Sequence, residues 1–135
     1  MKEIYSKVEE GVLLHKIHRF SEIKYGRNDL VAPEEFIQVS ALKMPEGKTF
    51  APHKHNIDSK ETTIAQESWV ILKGKVKVIF YDLDDTIIAE EILERGDLSI
   101  TLRGGHNYLI LEEDTMVYEF KTGPYFGQAK DKTFI

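Results

Sequence analysis

The feature that most constrains the fold of this 135-residue chain is a rhythm of short strand-like segments broken by turn residues, with no helical stripe among them. In order they are GVLLHKIH (11–18), FIQVSALKM (36–44), KTFAPHKH (48–55), ESWVILKG (67–74), KVKVIFYDL (75–83), TIIAEEIL (86–93), DLSITL (97–102), HNYLILEE (106–113) and TMVYEFKTG (115–123). About nine segments at roughly 8–12-residue spacing are the pattern of sandwiches and barrels. In KVKVIF, Val76, Val78 and Phe80 fall on one face and Lys75 and Lys77 on the other, as a half-buried strand requires. Turn residues at 45–47 (PEG), at Asp84 and Asp85, in ERGD and in EEDT separate the segments. Only 33–36, behind its proline, suits a helical turn. The expected fold is therefore all-β, an antiparallel barrel or two-sheet jelly roll, within one domain spanning 1–135. N-terminal strands and a loop occupy 1–35, the barrel core 36–121, and a turn-rich tail, 122–135, wraps the outside.

Composition narrows the partners. There is no cysteine, which removes disulfides and thiolate metal sites. A net charge of −5 argues against nucleic acid, whose phosphates demand a basic face. No apolar run exceeds four residues, so no membrane partner is expected, and the opening MKEIYSKVEEG has no apolar signal stretch. A cytoplasmic protein acting on a small molecule is the expectation.

His53 and His55, two of the five histidines, stand at i and i+2 within 48–55. On a strand they would share a face, with Lys54 opposite, spaced to grip one ion from one side. Gly47 precedes His53 by five intervening residues, and Glu67 precedes Gly74 by six. Gly96, Gly104 and His106 follow in order. This ordered set resembles the two signatures of the cupin superfamily, G-x5-H-x-H-x3-4-E-x6-G and G-x5-P-x-G-x2-H-x3-N, over residues 47–106. The resemblance implies a small β-barrel holding a divalent metal on His53, His55, Glu67 and His106. Eleven residues separate His55 from Glu67, where the pattern has three or four, and read as a loop between strands. Glu61 or Gln66 is the substitute ligand if the register shifts. Leu102 replaces the proline, His106 comes one position early, and Ile110 replaces the asparagine.

Parity places Trp69 and Ile71 beside Glu67, and Tyr108 and Ile110 beside His106, so Trp69, Tyr108 and Ile110 become pocket residues. Nitrogen ligands with one carboxylate suit Zn, Mn, Fe, Co or Ni, and open positions suit catalysis. The resemblance implies a metal-dependent enzyme of isomerase or epimerase type on a small polar, sugar-related molecule. A non-catalytic small-molecule-binding or sensing cupin is the alternative, and an iron-dependent dioxygenase a second. The loop 56–66, with Asp58, Lys60 and Glu61, lies where it would cover the barrel mouth. Lys60 and Arg103 are candidate contacts for an anionic group. Tyr118 and Phe120 are expected to face the core, leaving Glu119 and Lys121 outside; the reverse would make Glu119 a candidate general base. His15 and His18, on opposite faces of one strand, are read as structural. The apolar segment 11–18 is the expected seam of a homodimer.

Overall fold

The computed structural model describes residues 1–56, 59 and 61–135, and places ten strands and almost no helix. The strands are β1 (Lys2–Tyr5), β2 (Leu13–His18), β3 (Gly26–Asp29), β4 (Ser40–Lys43), β5 (Glu67–Lys73), β6 (Val76–Tyr81), β7 (Ile87–Leu93), β8 (Leu98–Thr101), β9 (Gly105–Ile110) and β10 (Met116–Lys121). A four-residue helix, α1 (Gln128–Asp131), lies in the tail. All strand pairs are antiparallel. They form a five-stranded sheet in the order β1-β2-β8-β5-β10, a three-stranded sheet β7-β6-β9 and a hairpin β3-β4. Among the described residues no hydrogen-bonded ladder joins these sheets, so the strands do not close into a barrel. That corrects the closed form expected above.

The two larger sheets meet face to face. Ile4, Ile17 and Ile71 from the five-stranded sheet pack on Val76, Val78, Phe80 and Leu93 from the three-stranded one. The alternation seen in KVKVIF is realised, with Val76, Val78 and Phe80 fully buried. The chain steps from one sheet to the other at Gly74, whose φ of +82° favours glycine. A Cβ there would also collide with Thr115 Oγ1.

A second apolar cluster covers the opposite face of the five-stranded sheet. Leu30, Val31 and Ile37 lie over Leu98, Ile100 and Leu102. The sheet's centre is thus buried on both sides, and β8 shows no exposed residue at all. That is why β2 can bury Lys16, whose ammonium donates to the Leu30 carbonyl at 2.9 Å and meets Glu3 at 3.1 Å. β2 is bonded along both edges, to β1 and to β8. Both of its edges are thus taken within the chain.

The expected turns form. Asp85 (φ +66°) turns β6 into β7, Gly96 (φ +85°) precedes β8, and Asp114 (φ +55°) precedes β10. Around 33–36 there is one turn, closed by Glu35 N–H donating to the Ala32 carbonyl at 3.1 Å. The expected strand at 48–55 does not form. Pro52 removes a donor from its middle, the residues are exposed, and no ladder partner lies against them. β1 and β3 stand where no strand was expected, and the tail's α1 is likewise an addition.

Candidate functional site

At one end of the two sheets lies a cavity of about 620 Å³, bounded by β5, β9, β10 and the C-terminal residues 131–135. Antiparallel register decides what faces it, because residues directly opposite share a face. On the five-stranded sheet Glu67 lies opposite Thr101 and Lys121, and Trp69 opposite Ser99 and Glu119. On the three-stranded sheet His106 and Tyr108 lie opposite Phe80 and Val78, sharing the face that meets the core.

Glu67 is the hub. Its Oε1 accepts from Trp69 Nε1 at 3.0 Å and stands 3.1 Å from His106 Nε2, while Oε2 stands 3.5 Å from Lys121 Nζ. Burial pushes the Glu67 carboxyl up, but the His106 hydrogen bond, with the charge of Lys121 behind it, outweighs this and brings it to about 2. An ionised carboxylate can only accept, so His106 Nε2 carries the hydrogen. Nδ1 is buried and has no hydrogen-bond partner. The Trp69 indole stacks on Tyr108 with ring centroids 3.9 Å apart and planes within 7°, and its N–H is shared with Glu119 Oε2 at 3.2 Å. Tyr108 meets Ser99 Oγ at 2.9 Å, and burial above all keeps its phenol protonated well past the ordinary range.

Lys121 closes the group. Burial works against its charge, but a 2.9 Å contact with Glu119 and the nearby Glu67 and Asp131 more than compensate, and it stays an ammonium. Both Glu119 and Lys121 therefore face the site, while Tyr118 and Phe120 are 60% and 55% exposed on the outer face. This reverses the expectation for β10. Apolarity misled there because the inner face of this strand borders a polar cavity, and the outer face of this edge strand lies beyond the cluster that covers the sheet's centre. The signal available in the sequence was the alternation Glu119, Lys121 on one parity, which matched Glu67 and Trp69 across the sheet.

The four metal-ligand candidates are divided into two pairs. Glu67 and His106 meet in the cavity wall. His53 and His55 lie exposed on the strandless segment between β4 and β5, their rings 5.6 Å apart, with His53 Nδ1 2.9 Å from the Ala51 carbonyl. Neither lines the cavity. Among the described residues no group of three or more histidine, aspartate or glutamate side chains is placed to hold a metal ion. The cation beside Glu67 is the Lys121 ammonium. As arranged, this donor set does not fit a four-ligand metal site.

Of the expected pocket residues, Trp69 and Tyr108 line the cavity, whereas Ile110 lies at the far end of β9, half exposed. Gln66, weighed as a substitute ligand, lines it and is engaged by Glu35 at 2.5 Å and by the Ile37 N–H at 2.8 Å. Glu61 is exposed. Arg103 pairs with Glu35 at 2.9 Å away from the cavity wall. Asp58 and Lys60, with residue 57, lie outside the described residues; of the rest of the expected lid, 56–66, Ala65 and Gln66 line the cavity. Gly104 and Gly105 form one rim. A Cβ at Gly104 (φ +75°) would sit 2.5 Å from the Tyr81 carbonyl and 3.3 Å from His15 Nε2. His15 lies directly behind, buried and stacked on Phe80 at 4.3 Å.

Comparison with models of known protein families found no match, and comparison with curated proteins and with solved structures found none either.

Proposed function

We propose that this chain is a small-molecule-binding protein of cupin type, with jelly-roll connectivity, whose cavity takes a hydroxyl-rich, sugar-sized ligand. The observation that carries the reading is the cavity wall. Its volume of about 620 Å³ lies in the range of ligand pockets. The Glu67 carboxylate accepts from ligand hydroxyls, Lys121, Asn107 and Thr101 donate, and the Trp69–Tyr108 stack offers an apolar edge. Binding is favoured over catalysis by the pKa pattern. A general base works best near the operating pH, and Glu67, at about 2, is far too weak. Tyr108 and Lys121 are shifted the other way, which makes each a poor proton donor.

The test is a thermal-shift and fluorescence screen with monosaccharides, sugar acids, sugar phosphates and polyols. A true ligand at a hundred times its Kd adds about 2.7 kcal/mol of stability. That gain is expected to vanish in Glu67→Gln and Lys121→Gln. Absence of any stabilising compound, or a shift that both variants retain, rejects the proposal.

A metal-dependent isomerase or oxygenase is the second reading. What favours it is that both halves of a ligand set exist, Glu67 with His106 and His53 with His55. In addition, among the described residues, β9 carries no partner on its second edge. Metal analysis after incubation with Zn, Mn, Fe or Ni separates the two. One equivalent of metal, lost alike in His53→Ala and His106→Ala, would replace the first reading, and oxygen uptake by the iron form would identify an oxygenase. The expected result is no stoichiometric metal.

A further inference from the structure

We infer that the C-terminal segment 125–135 is a displaceable wall of the cavity, and that Asp131 occupies the position of the ligand's acidic group. The ligand class is thereby narrowed to sugar-sized molecules bearing a carboxylate or phosphate. The second part rests on the ligand-binding reading above; the first does not.

Three walls of the cavity are strands, each fixed by ladder hydrogen bonds. The fourth is different. Residues 131–135 line the cavity, yet among the described residues no hydrogen bond joins 123–135 to any strand. The ladder stops at Thr122, whose N–H donates to the Gln66 carbonyl at 3.0 Å. Beyond it the backbone bonds are local, Lys130 and Asp131 N–H donating to the Gly127 carbonyl at 3.1 and 3.2 Å. Apolar burial does not secure the segment either. Tyr125, Phe126, Phe134 and Ile135 are 52%, 72%, 82% and 62% exposed. A segment with few buried apolar contacts and no ladder belongs to the low-stability end of a fold.

What seats the tail is Lys121. Asp131 Oδ2 stands 3.7 Å from its ammonium, and the Tyr125 ring centroid lies 4.6 Å from the same atom. Gly105 supplies the space, since a Cβ at that position would collide with Ile135 Cδ1. The seat is therefore a shaped one, held by one long ion pair and one cation–π contact.

That ion pair also indicates the ligand. Lys121 is shared among Glu119 at 2.9 Å, Glu67 at 3.5 Å and Asp131 at 3.7 Å. Glu119 and Glu67 belong to strands and cannot leave. Asp131 is the longest contact and the only one carried by the unladdered segment. A ligand carboxylate that takes its place leaves the charge around Lys121 as before, and a phosphate oxygen restores the same contact. A neutral sugar would not, because displacing Asp131 without a substitute removes one of the contacts that hold the ammonium. Acidic ligands thus enter by exchange, and neutral ones are excluded by the tail.

The experiment uses the full chain and its single tryptophan, Trp69, which lines the cavity. Acrylamide quenching of Trp69 reports the tail without any ligand, and titrations with gluconate, glucose 6-phosphate and glucose report exchange. Asp131→Asn is expected to raise quenching and to tighten both acidic probes about two- to fivefold, the scale of one partly exposed ion pair. Asp131→Glu, which keeps the charge, is expected to behave as the parent. Unchanged quenching in Asp131→Asn would overturn the displaceable wall. Glucose binding as tightly as the acidic probes would overturn the ligand class. A quenching response with no probe bound at all would reject the acidic-ligand part together with the ligand-binding reading, and leave the wall standing.

Discussion

Phe80→Ala is expected to lower the free energy of unfolding by about 3–5 kcal/mol, measured by urea denaturation at neutral pH. Phe80 is fully buried near the end of β6, in the cluster that joins the two sheets. Truncating a buried aromatic loses its transfer free energy and leaves a cavity that rigid sheets on both sides cannot collapse to fill. The position carries a second load. The His15 ring stacks on Phe80 at 4.3 Å, tilted by 27°, so the substitution also strips the apolar cover from a buried imidazole. With both terms the value should fall in the upper half of that range. A loss below about 1.5 kcal/mol, the scale of a tolerated volume-conserving swap, would mean that the sheets do not meet over Phe80 as described.

The strand register of the middle of the chain was legible because local chemistry and tertiary packing agree there. From β5 to β8 each strand falls within a segment marked out by alternation and turn residues, β9 starts one residue ahead of its segment, and Glu67 and Trp69 share a face as parity requires. Aspartates tolerate positive φ, which is why Asp85 and Asp114 could announce hairpin turns without glycine. Failures cluster where one strand's pattern depends on a distant partner. β2 buries His15, Lys16 and His18 because separate layers cover both its faces, and no local pattern encodes the second layer. On β10 the polar parity points inward, since Glu119 and Lys121 are satisfied by Trp69 and Glu67 some fifty residues away. At 48–55 the spacing of two histidines suggested a strand that Pro52 and the lack of a neighbour do not support. Four residues at β1, KEIY, are too few to show a period at all.

The same imbalance separates the parts of the site. Glu67 and His106 were singled out by the resemblance to the two signatures, and Trp69 and Tyr108 by sharing their parity on the same strands. Lys121 and Asp131 were not, one through the reversed face of β10 and the other because a turn-rich tail carries no periodic signal. Their contact, at 3.7 Å, exists only in three dimensions.

Acidification between pH 6.5 and 4 should remove about 3 kcal/mol of stability through His15 alone. Its ring is fully buried, with Nε2 donating to the Tyr81 carbonyl at 3.1 Å and Nδ1 3.2 Å from Thr101 Oγ1. Burial pushes the imidazole down from 6.5 to about 4; the Tyr81 hydrogen bond and Asp82 pull weakly the other way, and His106 adds to the depression. In the unfolded chain the ring takes a proton near 6.5, whereas in the folded protein it stays neutral until about 4. Across that window the unfolded state binds one more proton, so each unit of acidification favours unfolding by about 1.4 kcal/mol. His15 therefore contributes its full stability above pH 6.5, loses it on the way to 4, and is silent below. Glu67 acts in a lower window, between the ordinary carboxylate value of 4.5 and about 2, so the two are separable by pH. His18, also lowered chiefly by burial, adds to the loss in the same direction. Urea denaturation at pH 8, 5.5 and 4.5 should show this slope, and His15→Gln, which keeps a donor for the Tyr81 carbonyl, should flatten it while lowering stability at pH 8. An NMR titration of the folded protein in which the His15 ring protonates near 6.5 would contradict the burial that produces the slope, and with it the packing of β2 against β6.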